Sequence, residues 1–120
     1  MPPALLSDLR VREYWFMCLA TLHVGGVVAI GFDPTGRYAL VVSHSGRGVF
    51  DTTTWQRVAR DSALAYPENG EADGIGPLAG KRLKVSEISY DTGTLNVVSP
   101  NGDFAMSYSE GTIEVSRTGT

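Results

Sequence analysis

From residue 13 onward the chain alternates short runs of Val, Ile, Tyr, Phe, Trp and Thr with clusters of Gly, Pro, Asn, Asp and Ser. β-Branched and aromatic side chains pack well on a pleated surface, and the small polar clusters supply the backbone angles that reverse a chain. The pattern therefore predicts strands joined by tight turns. The candidate strands are 13–23, 27–32, 37–43, 47–52, 55–60, 82–89, 94–98, 103–108 and 111–117. Asp33-Pro34-Thr35-Gly36 and Ser99-Pro100-Asn101-Gly102 each place Pro where a fixed negative φ is wanted and Gly where the chain leaves a turn, and Glu110-Gly111 closes a last hairpin. Gly25-Gly26, set between Leu22-His23-Val24 and Val27-Val28-Ala29-Ile30, reads as a two-residue hairpin turn. Alternation and two-sided apolar runs nominate Phe32, Leu40, Val42, Phe50, Leu83, Val85, Ile88, Leu95, Val97, Ile113 and Val115 for the core.

Two stretches break this rhythm within what reads as a single β domain over 1–120. Residues 1–12 hold Pro2-Pro3 followed by Ala4, Leu5, Leu6 and Leu9, an N-terminal arm suited to covering a sheet end. Residues 62–80 hold Pro67, Gly70, Gly74, Gly76, Pro77 and Gly80 and few side chains able to build a core, so they read as a long acidic Gly/Pro-rich loop, mobile and tolerant of substitution. Asp61, Glu68, Glu71 and Asp73 meet no Lys or Arg until Lys81, whereas Arg37, Arg47, Arg57 and Arg60 precede the loop and Lys81, Arg82 and Lys84 follow it. Such a loop pairs naturally with its own basic flanks.

A weak internal repeat aligns Phe32-Asp33-Pro34-Thr35-Gly36, Val41-Val42-Ser43 and Val49-Phe50 with Tyr90-Asp91-Thr92-Gly93, Val97-Val98-Ser99 and Ala105-Met106. The first unit carries more. His23, Val27, Ile30 and Phe32, the turn residues Pro34 and Gly36, then Leu40, Ser43 and Gly46, and finally Phe50-Asp51 before Thr52 follow in order, and His23 to Thr54 resembles a blade of the WD-repeat β-propeller family. It departs from that pattern at Leu22 and in the turn at 44–46. The resemblance implies a four-stranded blade in which His23 is a hydrogen-bonded structural residue. A closed propeller needs four or more blades, and 120 residues hold at most two. The expected fold is thus all-β, an antiparallel meander forming a small sandwich or curled sheet with blade-like hairpins. The alternative is two propeller blades closing by oligomerisation.

Composition narrows the function classes. Ten Lys plus Arg against 13 Asp plus Glu give a net charge of −3, which argues against nucleic acid and anionic membranes as partners. The uncharged run from Tyr14 to Phe32 is long enough for a membrane span, but its central glycines and β-branched flanks fit two buried strands better. One cysteine, Cys18, leaves no internal disulfide and no thiolate metal site, which suits a cytoplasmic protein, and Cys18 and Trp15 read as core residues. No cofactor and no metal are expected: no His pair has zinc spacing, and the acidic loop lacks a calcium-loop pattern. Ser43 or Ser45 with His44 and Asp33 or Asp51 would supply a nucleophile, a base and an orienter, yet no nucleophile-elbow motif surrounds them.

These exclusions predict a non-enzymatic protein-binding domain, in one version an antitoxin or immunity-type inhibitor whose acidic residues steer it onto a basic partner. The candidate partner-binding residues are Glu68, Glu71 and Asp73 in the loop, His44 and Arg47 in a polar turn, and Trp55 beside Thr52-Thr53-Thr54. The alternative is a small-molecule or glycan-binding β-domain with its site at His44, Arg47 and Trp55. The expected assembly is a monomer or simple dimer.

Overall fold

Where β-branched runs are densest, strands form. A computed structural model describes residues 18–117. It contains β1 (Cys18–His23), β2 (Val27–Phe32), β3 (Tyr38–Ser43), β4 (Gly46–Asp51), β5 (Arg57–Asp61), β6 (Glu71–Asp73), a 3₁₀ turn (Gly76–Leu78), β7 (Arg82–Lys84), β8 (Ser86–Glu87), β9 (Thr94–Val98), β10 (Phe104–Ser109) and β11 (Thr112–Arg117). The fold is all-β with antiparallel pairing throughout these strands. One sheet has the order β5-β4-β3-β2-β8, a second β9-β10-β11-β1, and β6-β7 form a ribbon. The N-terminal arm 1–12 and the start of the strand expected over 13–23, including Trp15, lie outside the described residues.

Among the described residues no helix is long and apolar enough to cross a membrane. The described part of the uncharged run is β1, a turn and β2. That turn corrects a sequence expectation. Gly25-Gly26 does not close a hairpin, because β1 pairs with β11 and β2 with β3 and β8. Gly26 does need its positive φ of 63°. It uses it to carry the chain from one sheet to the other, the Val24 N–H donating to Gly111 O and the Gly26 carbonyl accepting from His44 N.

The two Pro-containing turns share one hydrogen-bonding plan. In the first, Asp33 N–H donates to Tyr38 O, Tyr38 N–H donates to Asp33 Oδ1 at 2.8 Å, and Gly36 N–H donates to Asp33 O. In the second, Ser99 N–H donates to Phe104 O, Phe104 N–H donates to Ser99 Oγ at 3.0 Å, and Gly102 N–H donates to Ser99 O. The geometry thus matches Asp33 with Ser99, and β3 with β10. The sequence alignment matched Asp33 with Asp91; in the fold, Ser89 rather than Asp91 is the hub of that turn, exchanging backbone bonds with Thr94 and Gly93.

Packing follows from pairing, since cross-strand partners share a face. Leu22, Ile113, Tyr108 and Leu95 form one row across the second sheet and Ala20, Val115, Met106 and Val97 the next. Both rows meet Ile30, Phe32, Ala39, Val41 and Phe50 of the first sheet. The reverse face of the first sheet presents Ala29, Leu40, Val42 and Val49 to Ala72, Ile75, Leu78 and Leu83. The expected core residues are buried, with Val85, Ile88 and Val97 half-buried.

The segment 62–80 is therefore not a loop without core residues. It contributes β6 and the 3₁₀ turn, and Ala72, Ile75 and Leu78 are buried. Each full burial of an Ile- or Leu-sized side chain contributes about 1.5–3 kcal/mol. Close approach requires glycine on the covered strand: a Cβ on Gly31 would collide with the Lys84 carbonyl oxygen.

Candidate functional site: an arginine-lined cleft

Strand alternation would put Arg57 and Arg60 on opposite faces of β5, because they are three residues apart. A register shift changes this. Gly48 faces Arg60 and Val49 faces Ala59, but the next residue, Phe50, faces Arg57, so Val58 is the extra residue of a β-bulge. Gly48 and Phe50 share a face of β4, and both arginines project from that face. Gly48 puts no side chain on that face: a Cβ there would stand in ordinary contact, 3.4 Å from Arg57 Cδ and 3.6 Å from Phe50 Cε1.

The result is a cleft of about 210 Å³. Val41, Gly48 and Phe50 line it beside Arg57 and Arg60, with His23, Val24 and Gly25 of the β1–β2 connection and the Ser43–Arg47 turn completing it. Arg47 is held where it stands, Nη2 donating to Asp61 Oδ2 at 3.3 Å and Nη1 to Asp73 O at 3.0 Å. Its side chain is 10% exposed, and its buried Nε–H has no hydrogen-bond partner. A buried donor left unpaired costs about 1–3 kcal/mol. Arg57 and Arg60 are exposed and have no ion pair or side-chain hydrogen bond among the described residues. With Arg47 offset by Asp61, the two remaining guanidinium groups leave the cleft doubly positive.

The acidic residues behave differently. Arg82 gathers all three: Nη1 lies 3.0 Å from Asp73 Oδ1, Nε 3.3 Å from Glu71 Oε1 and Nη2 4.0 Å from Glu68 Oε1. The Asp73 hydrogen bond leads the effects that raise the guanidinium above its ordinary pKa. Glu68, Glu71 and Asp73 are thus brought together, as the sequence grouped them, but around a cation of their own chain.

Of the other candidates, only Arg47 lines the cleft. His44 is exposed, its Nδ1 3.2 Å from Tyr66 Oη and its ring edge-on to Tyr66. Trp55 is a correction: it is 9% exposed, packs edge-to-face on Phe104 at 5.6 Å between centroids, and belongs to the core between the sheets. Its φ of 58° turns it inward from a polar sequence context. His44, Arg47 and Trp55 accordingly do not bound one pocket. His23 is also corrected, since it is exposed at the cleft and not a hydrogen-bonded structural residue.

The serine and aspartate groups imagined as catalytic serve turns. Ser43 Oγ is 3.0 Å from Ser45 Oγ and donates to Gly46 O. Burial tends to raise the Asp33 pKa, but the Thr35 hydroxyl and the Tyr38, Thr35 and Arg37 amides outweigh it and hold the carboxyl below its usual value. Asp51 is lowered to about 2, first by the Thr53 hydroxyl, then by the Thr53 amide and Arg37. Among the described residues no group of three His, Cys, Asp or Glu is placed to hold a metal ion. Cys18 is exposed rather than buried. Comparison with protein families, with curated proteins and with solved structures returns no match for this chain.

Proposed function

We propose that the chain is a non-enzymatic binding domain that takes hold of a protein partner through the Arg57–Arg60 cleft, at an acidic segment of that partner. The observation carrying this reading is the contrast in compensation: three carboxylates are engaged by Arg82, whereas two adjacent arginines at an open cleft are not engaged by any side chain described. Uncompensated like charges in a concave site raise the local concentration of an oppositely charged partner and speed its association. An inhibitor of the antitoxin or immunity type remains a form such a domain takes, with the sign of the contact reversed from that suggested by the acidic loop.

The test compares two charge reversals in partner capture from the source organism. Arg57→Glu with Arg60→Glu is expected to abolish capture of the partner held by the unaltered protein, and Glu68→Lys, Glu71→Lys, Asp73→Lys to leave it. The opposite pattern would return the contact to the acidic segment.

A further inference from the structure

We infer that the cleft is a site for a phosphomonoester, an inference that rests on the binding role proposed above and names the group recognised. The first ground is charge. Arg57 and Arg60 leave two positive charges after Arg47 and Asp61 are paired, and a phosphomonoester carries about −1.5 to −2 near neutral pH, whereas a carboxylate carries one. The second is the donor set. Guanidinium groups match phosphate oxygens in forked pairs, and Ser45, whose hydroxyl lies 3.0 Å from Ser43 Oγ, lines the same cleft.

A third ground is the bulge at Val58, which sets Arg57 and Arg60 on one face of β5 so that both serve the same cleft. Arg47 stands apart from them: it pairs across the strands with Val42 and Asp61, on the face opposite that of Gly48, and its guanidinium is committed there to Asp61 and Asp73. The side-chain-free position at Gly48 supplies the room, with Arg57 Cδ lying against it. A volume of about 210 Å³ suits a phosphate with its ester carbon rather than a large ligand.

Amide spectra titrated with inorganic phosphate, with a phosphoserine peptide, and with the same peptide carrying glutamate or unmodified serine test this. Phosphate is expected to shift the Gly46 and Gly48 amides saturably. The phosphoserine peptide is expected to bind at least about tenfold more tightly than the glutamate peptide, a difference of about 1.4 kcal/mol. Arg57→Gln and Arg60→Gln should each remove the preference, and Gly48→Val should remove it with every charge intact; Glu114→Gln should not. Tighter binding of the phosphopeptide than of phosphate assigns the group to a protein. Equal binding keeps the phosphate chemistry, assigns it to a small phosphorylated molecule, and counts against the protein-partner reading. If the glutamate peptide binds as well as the phosphopeptide and still depends on the arginines, the phosphate inference fails while the acidic-partner reading stands. If phosphate shifts nothing in the cleft and no acidic peptide binds, both fail.

Discussion

β2 and β9 enter matching turns, yet every residue of β2 is buried and β9 alternates. The difference lies in what covers the reverse face. Behind β2 and β3 stand Ala72, Ile75, Leu78 and Leu83. Behind β9 and β10 the cross-strand row Asn96, Ser107, Glu114 and Thr21 is exposed, and Ser107 donates to Asn96 Oδ1 at 2.7 Å. The layers therefore end differently on the two sides: apolar residues of the 62–85 segment close one, and a polar row needs no cover on the other.

The strongest way to break this contrast is to remove a side chain from the covered side. Leu40→Ala and Leu78→Ala are each expected to cost about 2–5 kcal/mol in urea unfolding. A cost for Leu78→Ala under about 1 kcal/mol would mean that the segment rests on the sheet without forming a layer. Gly31→Ala tests the same cover through its backbone, and the overpacking against Lys84 is expected to cost about 1–3 kcal/mol.

A smaller effect separates the two turns by pH. Asp33 and Asp51 have folded pKa values below their ordinary 3.8, so their contribution is full above that value and is lost as pH falls, for Asp51 toward about 2. Ser99, which fills the place of Asp33 in the second turn, does not ionise. Asp33→Ser is expected to flatten the acid limb of the stability curve, and Ser99→Ala to lower stability by the same amount at every pH. The smallest effect belongs to the open face: Ser107→Ala is expected to stay within about 0.5 kcal/mol of the parent. Light scattering should find a monomer or a simple dimer, because a ring of copies joined sheet to sheet would bury the Asn96–Thr21 row. A trimer or tetramer stable to dilution would show that this face is covered after all.

What the sequence made legible was local. Val27–Phe32 and Thr94–Val98 formed over the expected residues because β-branched runs bounded by turn residues leave few alternatives. The remainder depended on neighbours. β6 escaped because Ala72 sits between Glu71 and Asp73 and its burial comes from docking, not from periodicity. The shared face of Arg57 and Arg60 escaped because one bulged residue, Val58, inverts the alternation. Arg47, in contrast, was legible as a polar-turn candidate, although its buried pairing with Asp61 was not.

The pairing of β1 with β11 ties the earliest described strand to the latest. On a ribosome β1 would emerge long before its partner exists, while β2 to β5 could already zip together through near neighbours. Until β11 follows, Ala20 and Leu22 have half of their sheet missing and an open edge beside them. Contacts this distant along the chain slow folding through the loop entropy they must overcome. The last bond made would then be a clasp: loss of β11 would release β1, whereas loss of β1 would leave β11 on β10, and in either case β2 to β5 would stay paired.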